Sequence, residues 1–368
     1  MNMWNIEQFR KDLETIVNID SGSFDRDGVA EVGKFFEEKC KAMGLITKVN
    51  DETQTLEART HEDGPIDILM LGHMDTVFPK GTVAERPYRE EGNLAYGPGV
   101  ADMKAGLLIM TTLTERLKKE YPDMRICLAF NGEEEIGSLR TRDWMIGLGN
   151  QSRHAFVFEP GRAGGAMVMK RKGNIDLILK FHGVAAHAGI APEKGFSAAT
   201  EMAHWIIELN KMQNLEVGTS VNVGLVKGGT ASNVVPDYAE CMVDLRFERM
   251  EEMEKVQARV AELEKNLFVP NVTVDVEYQG IFGPMNPSDA TKALIEKTNA
   301  KAAELGQTIE WVATGGVSDA NHIGALGVPT LCGCGPVGGN THNQAEFLEL
   351  DTIEQRLDLF YALMPELV

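Results

Sequence analysis

The stretch Ile66-Asp-Ile-Leu-Met-Leu71-Gly-His73-Met-Asp75-Thr76 decides how this chain is read. Its apolar run is long enough for a strand buried on both faces and far too short for a membrane span. Strand positions two apart point to the same side, so His73 and Asp75 emerge together where the run ends. Ligand sites of open α/β sheets form at that carboxyl end. A carboxylate behind an imidazole is also the usual arrangement of a metal-bound histidine, because it fixes the tautomer and raises the basicity. Taken alone, H-x-D equally describes a solvent-facing turn.

Outward from this run, two helical patterns come first, at about residues 5–19 and 27–43. Further strand-like runs cover about 46–50, 125–131 and 155–158, with helices at about 103–119 and 138–147 between them. Alternating strands and helices with near-continuous apolar strands predict an α/β layer. The pattern changes after Arg162. Strands at about 166–169 and 175–182, a helix at 197–211, strands at 220–226 and 238–247, a helix at 251–267 and a strand at 272–278 follow one another. That β-β-α-β-β-α-β order suggests a small α+β sandwich with helices on one face of an antiparallel sheet. From about Ser288 the first style returns, with a helix to Leu305, a strand at 328–332 and a last helix from Thr352. The expected organisation is one α/β domain, residues 1–171 and 285–368, interrupted by an inserted domain at 172–284.

Composition narrows the function. Of 368 residues, 36 are basic and 55 acidic, a net charge of −19 that argues against a protein built to grip nucleic acid or a membrane surface. The N-terminal stretch carries charges throughout and lacks the apolar core of a secretory signal. Five scattered cysteines fit free thiols in a reducing cytoplasm better than a disulfide framework, and Cys332-Gly-Cys334 reads as the end of a buried strand.

Four more motifs carry chemistry. In Tyr96-Gly-Pro-Gly99-Val-Ala-Asp102, a glycine turn places an acid before a long helix. A dinucleotide loop is rejected there, since Asp102 stands at the third glycine position and no strand leads directly in. Glu133-Glu134-Glu135 follows a buried strand, and three adjacent carboxylates repel unless water screens them or a cation joins them. Glu159 ends the run at 155–158, and His342 lies in the glycine-rich Gly338-Gly-Asn-Thr-His342. Each has a bland reading as a cap or a surface loop. Together, two histidines and at least three carboxylates form a hard N/O donor set suited to zinc, manganese or cobalt. Charge counting suits two dications: Asp102, Glu135, Glu159 and one bridging hydroxide balance them.

The stretches LGHMDTVFPKGT, YGPGVADMKAG, NGEEEIGS, FEPGR, AAHAG, SNVVP and GGNTHNQAEF resemble the zinc-dependent exopeptidase and deacylase family of glutamate carboxypeptidase, succinyl-diaminopimelate desuccinylase, acetylornithine deacetylase and aminoacylase. The bacterial glutamate carboxypeptidase branch is the most similar. The resemblance implies a di-metal catalytic domain, a mixed sheet flanked by helices, interrupted by a smaller dimerisation or lid domain. It implies His73, Asp102 and Glu159 as ligands of one metal and Asp102, Glu135 and His342 as ligands of the other. Glu134 matches the general base, and Asp75 the carboxylate behind His73. A cis peptide is implied after Asp102. Arg246 resembles the arginine that pairs with the substrate's free carboxylate, and Asn233 a residue that contacts substrate. His187 resembles a histidine that reaches a partner subunit's site in dimeric members and stabilises the oxyanion there. Gly315 and Gly316 fall in a loop that lines the family's pocket. Helix capping is the expectation for Asp319, and Glu133 receives no chemical role.

The expected activity is therefore hydrolysis of an amide beside a free carboxylate, in a small peptide or N-acyl amino acid, with two divalent ions (Zn2+, or Co2+ or Mn2+). An N-acyl amino acid deacetylase or desuccinylase is the alternative within hydrolases. A catalytically silent binding protein on the same fold would lack the base or a ligand, and here none is missing.

Overall fold

The computed structural model describes residues 3–62 and 64–368. Its contacts divide the chain into two compact units. The first comprises Met1–Lys170, Met285–Thr314 and Ser318–Val368, and the second Arg171–Pro284 with Gly315–Val317.

The first unit is built on an eight-stranded mixed sheet. Its spatial order is Ile46–Asn50, Thr55–Arg59, Ile126–Asn131, Ile66–His73, Ser152–Val157, Thr330–Cys332, Met167–Arg171 and Trp311–Thr314. The middle strands, Ile126–Asn131, Ile66–His73, Ser152–Val157 and Thr330–Cys332, run parallel, so their carboxyl ends share one edge. Every residue of Ile66–His73 is buried. Ile68 and Met70 enter one apolar cluster and Leu69 and Leu71 the other, which is the period-two alternation of a strand covered on both faces. Helices Ile6–Val17, Arg26–Ala42, Ala105–Glu120 and Asp351–Leu363 contribute to the first cluster, and Arg142–Gly149 and Ala320–Gly324 to the second. A second sheet of four short strands includes Leu94–Tyr96 and Phe347–Glu349.

Three expectations are corrected here. A strand does lead directly into Gly97, namely Leu94–Tyr96, but it is a three-residue member of the small sheet and feeds no dinucleotide fold. The helix expected from Ser138 begins at Arg142, because Ser138 takes φ 53° and the Glu133 carboxylate collects the amides of Arg140 and Thr141. The strand after Arg162, Met167–Arg171, pairs with Thr330–Cys332 in the large sheet rather than opening the inserted fold.

The second unit is a four-stranded antiparallel sheet in the order Ser220–Gly228, Tyr238–Phe247, Gly173–His182, Thr273–Phe282. Alternate residues Ile175, Leu177, Leu179 and Phe181 share a core with Trp205 and Leu209 of helix Ala198–Asn210 and with Val256, Val260 and Leu263 of Met250–Lys265. Both helices therefore cover the same face. All five cysteines are free and buried. Among the described residues no helix is long and apolar enough to cross a membrane.

Candidate metal centre and active site

The acids and histidines singled out in the first unit converge at the carboxyl edge of its parallel strands. His73 is the last residue of its strand, in parallel register with Asn131, and Phe158 extends the neighbouring strand by donating its amide to Leu71 O at 2.9 Å. Glu159 therefore leaves the sheet beside His73. Asp102 arrives on the loop before helix Ala105–Glu120. Gly99, at φ 72°, makes that turn, and a Cβ there would lie 2.6 Å from Thr76 Cγ2. Gly106 lets the helix press against the strand end: a Cβ would lie 2.0 Å from Phe158 O. The Asp102–Met103 peptide is cis, as the resemblance implied.

Asp102 sits between the two histidines. Its Oδ1 is 3.1 Å from His73 Nε2 and its Oδ2 is 3.4 Å from His342 Nε2. Glu159 Oε1 and Glu134 Oε2 lie 3.9 and 4.0 Å from His73 Nε2, while Glu135 Oε2 is 3.1 Å from His342 Nε2. Ligating atoms of His73, Asp102 and Glu135, and likewise of His73, Glu134 and Glu159, all fall within 4.8 Å of one another. The residues fit divalent ions on a further ground. Glu135 Oε1 is buried and has no hydrogen-bond partner among the described residues. A buried carboxylate oxygen with no donor is costly unless something positive meets it.

Electrostatics point the same way. Burial pushes the Glu134 carboxyl well above the usual range, and Glu159, Asp319 and Glu135 add to it against the pull of His73. Burial also opposes ionisation of Asp102, but His342 and His73 hold that carboxyl below its ordinary value. Hydrogen bonding to Asp102 and Glu135 raises His342 to about 10. A site that crowds acids around two imidazoles stores negative charge that cations convert into coordination.

The surroundings differ in part from expectation. Asp75 lies behind His73, but His73 Nδ1 is nearest the Asp75 backbone carbonyl, at 3.0 Å, with the carboxylate at 3.5 Å. That carboxylate instead accepts the amides of Glu134 and Glu135, each at 3.1 Å, and the Ser23 hydroxyl at 2.7 Å. It thus fixes the loop that carries Glu134 and Glu135. Asp319 stands at the start of Ala320–Gly324 but makes no side-chain cap. Its carboxylate accepts Asn131 Nδ2 and Ser138 Oγ, each at 2.8 Å, because both donors are buried behind the same loop. Glu133 is buried and accepts Arg140 N at 2.7 Å, Thr141 N at 3.0 Å and Arg140 Nε at 2.7 Å, fixing the far end of the loop.

Sequence reasoning missed Glu346, although it lies in the quoted motif. The side chain is buried, and its carboxylate accepts the amides of Gly99, Ala101 and Asp102 at 3.1, 2.9 and 3.0 Å. One carboxylate four residues past His342 thus holds the loop that presents Asp102. A carboxylate in the same motif as His342 was the available signal.

The remaining candidates lie in the second unit. His187 and Asn233 are exposed and adjacent: Ala186–His187 pairs with Val234–Val235, and Ala188 N donates to Asn233 O at 2.9 Å. Arg246 donates through Nε and Nη2 to the Asp244 carboxylate, at 2.6–3.0 Å, and through Nη1 to Gly315 O at 3.2 Å. Its guanidinium is already engaged, and Gly315 is brought to it. The Gly316 carbonyl accepts from Arg171 at 2.9 Å.

A mixed sheet with a two-histidine, multi-carboxylate cluster at its parallel edge defines a metal-dependent peptidase or amidohydrolase. Residues 69–366 match the profile of peptidase family M20/M25/M40, and the chain belongs to that family. It is 31% identical to carboxypeptidase G2 of Pseudomonas sp. (strain RS-16), over 97% of this chain and 88% of that one. It is 24% identical to succinyl-diaminopimelate desuccinylase of Thioalkalivibrio sulfidiphilus (strain HL-EbGR7), over 86% and 88%. An M20 family metallo-carboxypeptidase from Sulfolobus solfataricus shares the fold with a TM-score of 0.75 at 16% identity, covering 97% of this chain and 99% of that one.

Proposed function

We propose that this enzyme cleaves an amide bond next to a free carboxylate, releasing a C-terminal amino acid from a small peptide or N-acyl conjugate. The observation that carries the reading is Asp102 lying between His73 and His342, with Glu134, Glu135 and Glu159 around them. His73, Asp102 and Glu159 hold one divalent ion and Asp102, Glu135 and His342 the other, zinc being the first choice. When bound, the ions polarise the scissile carbonyl and lower the pKa of a water at the site. Glu134 takes the proton of the attacking water and returns it to the departing nitrogen. Burial raises its carboxyl above the ordinary range, which favours taking up the proton of the water. Asp75 keeps Glu134 in place through its backbone amide.

The second unit supplies the substrate contacts in this reading. Arg246, freed in part from Asp244, pairs with the substrate carboxylate beside Gly315 and Gly316, and Asn233 adds a polar contact. The chain dimerises through this unit, and the partner subunit's His187 donates to the carbonyl oxygen as it gains charge. An N-acyl amino acid deacylase uses the same groups, and the desuccinylase relative favours it as the second reading.

The test combines elemental analysis with turnover of dipeptides and N-acyl amino acids under zinc, cobalt and manganese. Glu134→Gln should retain the metals and lose at least ~100-fold in kcat. A variant as fast as the wild type would remove Glu134 as the base.

A further inference from the structure

Beside the proposed metal centre the first unit carries a cleft of about 480 Å³ that none of the assigned residues explains. Phe24, Val77, Phe78, Pro79 and Ile136 line it, and Glu135 forms part of the same wall. Phe24 is 89% exposed, Val77 41% and Ile136 36%, so three large apolar side chains face water around one hollow. Isolated exposed apolar residues are ordinary, but a cluster around a concave surface marks a binding site.

The walls are fixed in place. The Asp20 carboxylate accepts the amides of Gly81 and Val83, at 2.7 and 2.9 Å. Ser23 N donates to Thr76 O at 3.1 Å and Thr76 N to Ser21 O at 2.8 Å. At Gly22 a Cβ would lie 2.3 Å from Phe78 O, so the two loops touch backbone to backbone. Ser23 also binds the Asp75 carboxylate, which ties the cleft to the loop of Glu134 and Glu135.

Charge decides what the cleft takes. Lys80, a lining cation, is 3.1 Å from Asp25, itself part of the lining, so the two compensate each other. Glu135 faces His342. Arg86 stacks on the Phe78 ring and donates to Gln344 O, and it is not part of the cleft lining. Among the described lining residues a substrate carboxylate finds no uncompensated cation, and the acid left beside the salt bridge, Glu135, is a proposed metal ligand. A neutral apolar group finds surface to cover.

We infer that this cleft binds the group on the carbonyl side of the scissile amide, and that it selects an uncharged apolar acyl chain or side chain over a charged one. The inference rests on the hydrolase reading and sets its substrate class. It separates a desuccinylase from the other hydrolase readings, because a succinyl group carries a carboxylate where a butyryl group carries a methyl.

The experiment uses metal-loaded enzyme and N-acetyl-, N-butyryl-, N-hexanoyl- and N-succinyl-L-glutamate. Turnover should rise about two- to fourfold in kcat/KM for each added methylene. Succinyl should fall below butyryl by about tenfold or more, since its carboxylate loses water without gaining a partner. Phe24→Ala and Ile136→Ala should each lower the hexanoyl-to-acetyl ratio by about threefold or more. Binding is read apart from turnover by titrating the same compounds into the Glu134→Gln enzyme. A hexanoyl preference in binding that Phe24→Ala removes supports the cleft even where the wild type turns nothing over, an outcome that would sink the hydrolase reading alone. Ratios unchanged by both variants, succinyl preferred to butyryl, or no binding by any of the four overturn the cleft. So does an unchanged ratio together with a shift in oligomeric state, which would make the patch a subunit contact.

Discussion

Glu346 shows how much a single side chain can hold in this site. Three backbone N–H groups of one loop point at its carboxylate, and burial raises that carboxyl to about 7 against their combined pull. Glu346→Ala leaves three buried donors without an acceptor, at a cost of about 1–3 kcal/mol for each that water does not reach. Because the loop presents Asp102, affinity for both metals should fall about 10–100-fold, the usual effect of losing a ligand's support. Glu346→Gln should lose less. Its one carbonyl oxygen can still meet Ala101 and Asp102, while its NH2 group opposes Gly99 N–H. Metal titration of the apo variants, read beside urea unfolding, checks this: equal metal affinity in all three proteins would reduce Glu346 to a stability residue. The cluster of acids and histidines is legible in sequence because each of them closes an apolar strand or a glycine turn. Glu346 is not, because what it binds is main chain 245 residues away, and main-chain amides leave no trace in a sequence.

At the scale of elements, two buried carboxylates organise the loop from Asn131 to Thr141: Glu133 from within it and Asp319 from the start of the short helix Ala320–Gly324. Asp319 grips Asn131 and Ser138, and Glu133 grips Arg140 and Thr141. A helical pattern is present in the sequence from Ser138. Ser138 takes φ 53°, outside the right-handed helical region, so the helix starts only after it, and Glu133 accepts the amides of Arg140 and Thr141 ahead of its first turn. His322 on the short helix titrates against this packing. Burial, with a smaller push from Arg142, lowers it from the ordinary 6.5 to about 3. Between those values the unfolded chain binds a proton that the folded chain does not. Its contribution to stability therefore falls as pH drops from 6.5 towards 3 and is constant above that window. The slope is about 1.4 kcal/mol per pH unit, or about 2 kcal/mol between pH 6.5 and 5. His322→Gln should therefore lose about that much less stability than the wild type when unfolding is compared at pH 7 and pH 5. Parallel losses in the two proteins would show that His322 takes up its proton in the folded chain as readily as in the unfolded one.

Over the whole molecule, the alternation of apolar runs marks the α/β layer and the change of style after Arg162, yet two features of the division into units have no sequence signature. Gly315–Val317 belong with the second unit because Arg171 and Arg246 donate to their carbonyls, contacts made by a glycine-rich loop whose own side chains say little. The small sheet of short strands, including Leu94–Tyr96 and Phe347–Glu349, escapes notice because three residues are too few to show a period. The two units have separate cores, and every proposed ligand, with Asp75, Glu134 and Glu346, lies in the first. Metal binding should therefore be linked to the folding of the first unit alone. An ion present at a thousandfold excess over its Kd stabilises the state that binds it by about 4 kcal/mol. Chelation should strip that protection from the amides of Ala101, Asp102, Glu134 and Glu135, whose acceptors are Glu346 and Asp75. Amides of Gly173–His182, in the centre of the second unit's sheet, should exchange at the same rate with or without metal. Hydrogen exchange followed by peptide mass spectrometry reads both regions in one sample. Equal loss of protection in the two would mean that the units unfold as one cooperative body, and no loss in either would mean that the cluster at His73 and His342 holds no metal that matters to the fold.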